Sequence, residues 1–79
     1  MAGAHELLGA LRLSRRDLEG AMSELQTAIK LEPNFTKAQY ELGVVLYTRG
    51  DLPGAVEHLK LASQGGDPDA QQLLSKIVK

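Results

Sequence analysis

The chain repeats itself at an interval of 34 residues, and no other property narrows its possible folds so far. When residues 2–35 are laid over 36–69, ten of the 34 positions are identical: Ala4/Ala38, Leu8/Leu42, Gly9/Gly43, Arg15/Arg49, Asp17/Asp51, Leu18/Leu52, Gly20/Gly54, Ala21/Ala55, Leu25/Leu59 and Ala28/Ala62. A unit of this length cannot bury its apolar face alone, so successive units must stack. Most of the identical residues are small or apolar. Small residues at fixed points are what two helices need in order to approach closely.

Within each unit the apolar spacing is helical. Leu18, Ala21, Met22, Leu25, Ala28 and Ile29 fall on one face of an α-helix, and Leu52, Ala55, Val56, Leu59 and Ala62 repeat that face. A helix is predicted ahead of each, from about Gly3 to Ser14 and from about Phe35 to Thr48. A fifth helix is predicted from about Pro68 to Val78, with Ala70, Leu73, Leu74 and Ile77 on its apolar face. Its start, Ala70-Gln71-Gln72-Leu73-Leu74-Ser75, echoes Ala38-Gln39-Tyr40-Glu41-Leu42-Gly43. A helix this short is marginal in water unless it docks on a neighbour.

The punctuation fits the same plan. Asp17 and Asp51 precede the second helix of each unit, where a carboxylate can accept from free N–H groups. Gly50 suits a left-handed C-cap, and Arg16 stands in the corresponding place of the first unit. Pro53 lies in a first turn, where proline is tolerated. Asn34 is the expected cap of the third helix, and Asp67 with Pro68 that of the fifth. The expected organisation is a single domain over 1–79, with repeats at 2–35 and 36–67 and a closing helix at 68–78.

A helix–turn–helix period of 34 residues resembles the tetratricopeptide repeat family. The first unit reads His5-x2-Leu8-Gly9-x2-Arg12, then Ala21-x3-Leu25, Ala28 and Pro33. The second reads Gln39-x2-Leu42-Gly43-x2-Leu46, then Ala55-x3-Leu59 and Ala62. His5 and Gln39 replace the family's Trp, Arg12 replaces its Tyr, and Gly65-Gly66 replaces the second Pro. The resemblance implies an all-α fold, a short right-handed solenoid of antiparallel helix pairs with five helices. It also implies a non-catalytic role, in which first helices line a concave groove that binds a peptide or protein segment.

With that geometry the groove residues are Lys37, Tyr40, Val44 and Tyr47, joined by Leu13 and Gln72; Glu6, Ala10, Ser14, Thr48 and Lys76 lie alongside. Tyr40, Val44 and Tyr47 share a face that differs from the one carrying Ala38, Leu42 and Val45. Tyrosine offers large apolar area with a polar tip, which suits an interface. Some family members hold a C-terminal carboxylate with Lys, Asn and Arg along the groove. Here Glu6, Ala10, Glu41, Asp69 and Leu73 stand at those places, so an acidic ligand end is repelled and an apolar segment containing Lys or Arg is expected. The alternative is self-assembly, or docking on the remainder of a longer chain, through apolar ends bearing Leu7, Leu11, Leu73 and Val78.

Other chemistries find little support. Nine Lys and Arg against ten Asp and Glu give a net charge of −1, which lacks the basic excess of a nucleic-acid module. Arg12, Arg15 and Arg16 are expected to complement a helix dipole. There is no cysteine, and the two histidines, His5 and His58, have no metal-ligand spacing. His58 is expected on a solvated helix face, and His5 against the end of the stack. No nucleophile–base constellation or phosphate loop occurs, so neither an enzyme nor a cofactor is expected. No apolar run is long enough to span a bilayer. The start at Met1 lacks the basic and apolar stretches of a signal peptide, so the expected setting is the cytoplasm.

Overall fold

Three aspartates organise the backbone by serving two helices each. In the computed structural model, which describes residues 1–78, the backbone N–H groups of Asp17, Asp51 and Asp67 donate to the carbonyls of Arg12, Leu46 and Ala62 at 2.9, 2.9 and 3.0 Å. That bond closes the preceding helix. The Asp17 and Asp51 carboxylates then accept from Gly20 and Gly54 N–H at 3.0 Å, and Asp67 accepts from Asp69 and Ala70 N–H at 2.9 and 3.3 Å. One residue thus stops one helix and starts the next. The residue before each aspartate is left-handed: Arg16 at φ 66°, Gly50 at 90° and Gly66 at 93°. Glycine takes this conformation freely, whereas a side chain at Arg16 makes the first turn the strained one.

The described residues form five helices: α1 (Ala2–Ser14), α2 (Leu18–Leu31), α3 (Thr36–Arg49), α4 (Leu52–Gln64) and α5 (Pro68–Ile77). Asn34 does not cap α3. Phe35 N–H donates to the Glu32 carbonyl at 3.0 Å, which folds Pro33 and Asn34 into the interior of a turn and leaves Phe35 at the cap position without a side-chain bond.

Each helix packs on its chain neighbours, and only a thin contact joins α1 to α3. The core is a line of small and branched residues: Ala21, Leu25 and Ala28, then Ala38, Leu42 and Val45, then Ala55, Leu59 and Ala62, closed by Ala70. The repeated glycines explain the tight pairing. A Cβ on Gly9 would stand 2.7 Å from Leu25 Cγ, and one on Gly43 would stand 2.8 Å from Leu59 Cγ. Both leucines are fully buried, so each pair crosses where a glycine on the first helix makes room for a leucine on the second.

Burial differs between the two first helices. On α3, Ala38, Gln39, Leu42, Gly43, Val45 and Leu46 are buried, because α2 and α4 flank it. On α1, burial reaches only Ala2, Glu6 and Gly9. Leu7, Leu8 and Leu11 are left 65, 43 and 49% exposed. No helix among the described residues is long and apolar enough to cross a membrane.

Candidate functional site

The first-helix layer carries the predicted groove residues. On α3, Lys37 is exposed, Tyr40 and Val44 are half-buried and Tyr47 is 43% exposed. The three apolar members stand one helical turn apart, away from the positions that enter the core. Leu13 on α1 and Tyr40 itself lean on the core cluster, and Gln72 on α5 is exposed. The structure brings Lys37, Tyr40 and Glu41 together with Gly66, Asp67, Pro68 and Asp69 around a recess of about 430 Å³ between α3 and the start of α5. Burial, with the nearby Asp69 and Asp67 carboxylates, pushes the Tyr40 hydroxyl pKa upward.

Behind this recess two carboxyl groups meet. Glu6 of α1 is 4% exposed, and its Oε2 accepts from no N–H group or hydroxyl; nor does Glu41 Oε1 on α3. Lys37 Nζ lies 3.9 Å from Glu6 Oε2, too far for a hydrogen bond. Burial first, and then Glu6 beside it, push the Glu41 carboxyl up to about 8. At neutral pH Glu41 therefore keeps a proton that it can share with Glu6, because two adjacent buried carboxyls do not both ionise. Sequence reasoning placed both residues on the groove but not in contact, since they occupy different positions of the repeat.

The histidines show a second pairing that the sequence reading missed. His58 is not on a solvated face. It is half-buried, and its Nδ1 lies 2.7 Å from Gln39 Oε1 across the α3–α4 interface. Burial pushes its pKa down. The neutral ring donates to Gln39, whose Nε2 donates in turn to the Pro33 carbonyl at 3.5 Å. In the first pair His5 Nδ1 lies 2.8 Å from Glu24 Oε1. Residues 5 and 39, and 24 and 58, are each 34 apart, so the same cross-helix bond recurs with the histidine moved to the other helix. A search for repeated pair chemistry, and not only repeated identity, would have found it.

The arginine cluster divides. Arg12 pairs with Asp17 at 3.0 Å and reaches Glu24 at 3.8 Å, whereas Arg15 and Arg16 are exposed. Arg49, the counterpart of Arg15, instead ties α3 to α2 through Glu19 at 3.1 Å. Of the end residues, Leu7, Leu11 and Val78 are exposed, while Leu73 packs against the core. A larger recess, about 520 Å³, lies elsewhere, between the α2–α3 turn and the end of α4. Its lining of Ile29, Pro33, Asn34, Thr36, Gln39, Leu61, Gln64 and Gly65 holds no charged side chain. No group of three or more potential metal ligands occurs among the described residues.

Residues 12–77 match the tetratricopeptide repeat family model. The chain is 40% identical over 78 residues to a TPR repeat-containing protein of Pseudomonas aeruginosa, covering 94% of this chain and 31% of that protein. It is 32% identical over 76 residues to bacteriophage adsorption protein A of Escherichia coli, covering 96% of this chain and 8% of that protein. The chain therefore spans under a third of the length of these relatives. Stacked helix pairs, the glycine-over-leucine crossings and the family match together make this chain a member of the tetratricopeptide repeat family, whose repeats generally mediate protein–protein interaction.

Proposed function

We propose that residues 1–79 act as one non-catalytic binding unit, with repeats at 2–35 and 36–67 and a closing helix at 68–78. Its first-helix layer takes an extended, largely apolar segment of a protein partner. The observation that carries this reading is the half-exposed stripe of Tyr40, Val44 and Tyr47 on α3, opposite the face that buries Ala38 and Val45. Rigid aromatic anchors flanked by polar side chains are the usual energetic centre of a protein interface. Lys37 and Gln72 border the stripe, and Leu13 extends it onto α1. The test is a displayed peptide library panned on the folded chain. Selected peptides are expected to lose at least about tenfold in affinity on Tyr40→Ala with Tyr47→Ala, with helicity unchanged. Peptides indifferent to both substitutions would remove the groove assignment.

A second reading rests on the open side of α1. Leu7, Leu8 and Leu11 correspond by the 34-residue shift to Glu41, Leu42 and Val45, of which the last two are buried beside α2. In that reading the α1 face seats another helix, from a second copy or from the remainder of a longer chain; Leu73 and Val78 mark the opposite end. Leu7→Gln with Leu11→Gln is then expected to lower the mass seen in sedimentation equilibrium without loss of helicity. An unchanged mass would leave no role for this face in self-association.

A further inference from the structure

We propose that the recess between α3 and α5, with the Glu6–Glu41 pair at its back, is the seat for one arginine side chain of the partner. This rests on the reading that the first-helix layer binds a peptide, and it assigns the charge that the peptide must carry. Carboxyl groups line the recess from three sides, Glu41 from α3, Asp67 from the α4–α5 turn and Asp69 from α5, and Glu6 of α1 lies buried behind Glu41. The single cation among them is Lys37, whose side chain is 64% exposed. Lys37 stops 3.9 Å from Glu6 Oε2 and leaves both that atom and Glu41 Oε1 without an N–H donor. In the free protein only the proton kept by Glu41 lies between the two carboxyls; once both are ionised, they call for a donor with more than one N–H. A guanidinium presents a planar fork of five N–H groups, matched to neighbouring carboxylates, and its face can stack on an aromatic ring. Tyr40 supplies that ring on the wall of the same recess.

In the free protein the shared proton stands where the guanidinium would go. Glu41, pushed up to about 8 by burial and by Glu6, must release that proton to the solvent as the cation enters. Glu6 and Asp67 oppose the ionisation of Glu41, Tyr40 and Asp69 line the same recess, and Lys37 is the neighbour that favours it. At pH 7 close to one proton leaves for each guanidinium bound, and at pH 9 almost none. The affinity for a guanidinium accordingly rises by about tenfold between pH 7 and pH 9 and then levels off.

The probe is n-butylguanidinium, with uncharged n-butylurea as the control and sodium chloride at matched ionic strength. The readouts are the side-chain carboxyl 13C resonances of Glu6 and Glu41 and the ring resonances of Tyr40 in the full chain. Saturable shifts with the guanidinium, about tenfold tighter at pH 9 than at pH 7, and none with the urea, are expected. Lys37→Met removes the competing ammonium and is expected to tighten binding severalfold at pH 9. Glu6→Gln with Glu41→Gln keeps shape and hydrogen bonding, so helicity should hold while the probe no longer shifts Tyr40. Equal shifts with the urea, no saturable shift, or a probe response that survives the double Gln variant would overturn the seat. If the seat fails while selected peptides still need Tyr40 and Tyr47, the groove reading stands. If peptides ignore the tyrosines, the groove reading falls and takes the arginine seat with it.

Discussion

The two helix pairs are built on one template, and they differ in how much of the template is covered. Gly9 over Leu25 and Gly43 over Leu59 are equivalent crossings, as are the His5–Glu24 and Gln39–His58 bonds. The second pair lies between α2 and α5 and buries both sides of its first helix. The first helix of the first pair, α1, has α2 on one side and leaves leucines exposed on the other. Its turn also places Arg16, a residue with a side chain, where the second pair has Gly50. The same local instructions therefore yield a tight pair and a loose one. Cooperative packing in a repeat array comes from neighbours as much as from the repeat itself.

The sharpest way to break this contrast is to fill the crossings. Gly43→Ala pushes a Cβ into Leu59 with helices on both flanks, and is expected to destabilise by roughly 2 kcal/mol after the better helix propensity of alanine is counted. Gly9→Ala meets Leu25 as closely, but α1 can shift outward, so a smaller loss is expected. Chemical denaturation of both variants reads the difference. Equal losses would mean that α1 is held as firmly as α3.

A pH profile of stability sharpens it further, because the perturbed buried groups lie on the second pair and its border. Glu41 is raised from an ordinary 4.5 to about 8, so the folded state binds its proton more strongly than the unfolded one. That contribution is full below about pH 4.5 and is lost as pH rises towards 8. Glu41→Gln should flatten this decline and stabilise the protein at pH 9, read as a higher Tm. The smallest effect comes from His58, whose pKa is lowered by burial. Its contribution is present above about 6.5 and is lost as pH falls through the lower folded value. His58→Gln should remove this acid-side loss in the same melts. An acid limb that persists unchanged would assign it to other groups.

The fold was legible because its instructions are local. An apolar face every third or fourth residue and an aspartate before Gly20 and Gly54 each act within a few residues, and the period of 34 writes them out twice. Asn34 was misread for the same reason in reverse: its cap signal is real, but the Glu32–Phe35 turn uses it otherwise. Side-chain partners across helices were less legible. His58 takes its meaning from Gln39, nineteen residues away, and Glu6 from Glu41, which is not its repeat counterpart. The stripe of Tyr40, Val44 and Tyr47 could be drawn from helical spacing alone. The acidic recess beside it required knowing that the start of α5 comes back to α3.

Packing that runs from each helix to the next in the chain also sets the order of events in time. Because nearly all packing joins helices adjacent in the chain, the loops that must close before the first stable contacts are short, and folding on the microsecond-to-millisecond scale is expected. Opening should run the other way, from the loose end inward. Amide hydrogens of α1 should exchange through detachment of that helix alone, while those at the α3–α4 crossing wait for the whole chain to unfold. A partner that covers α1 would act first as a clock, slowing the earliest step by which the stack comes apart.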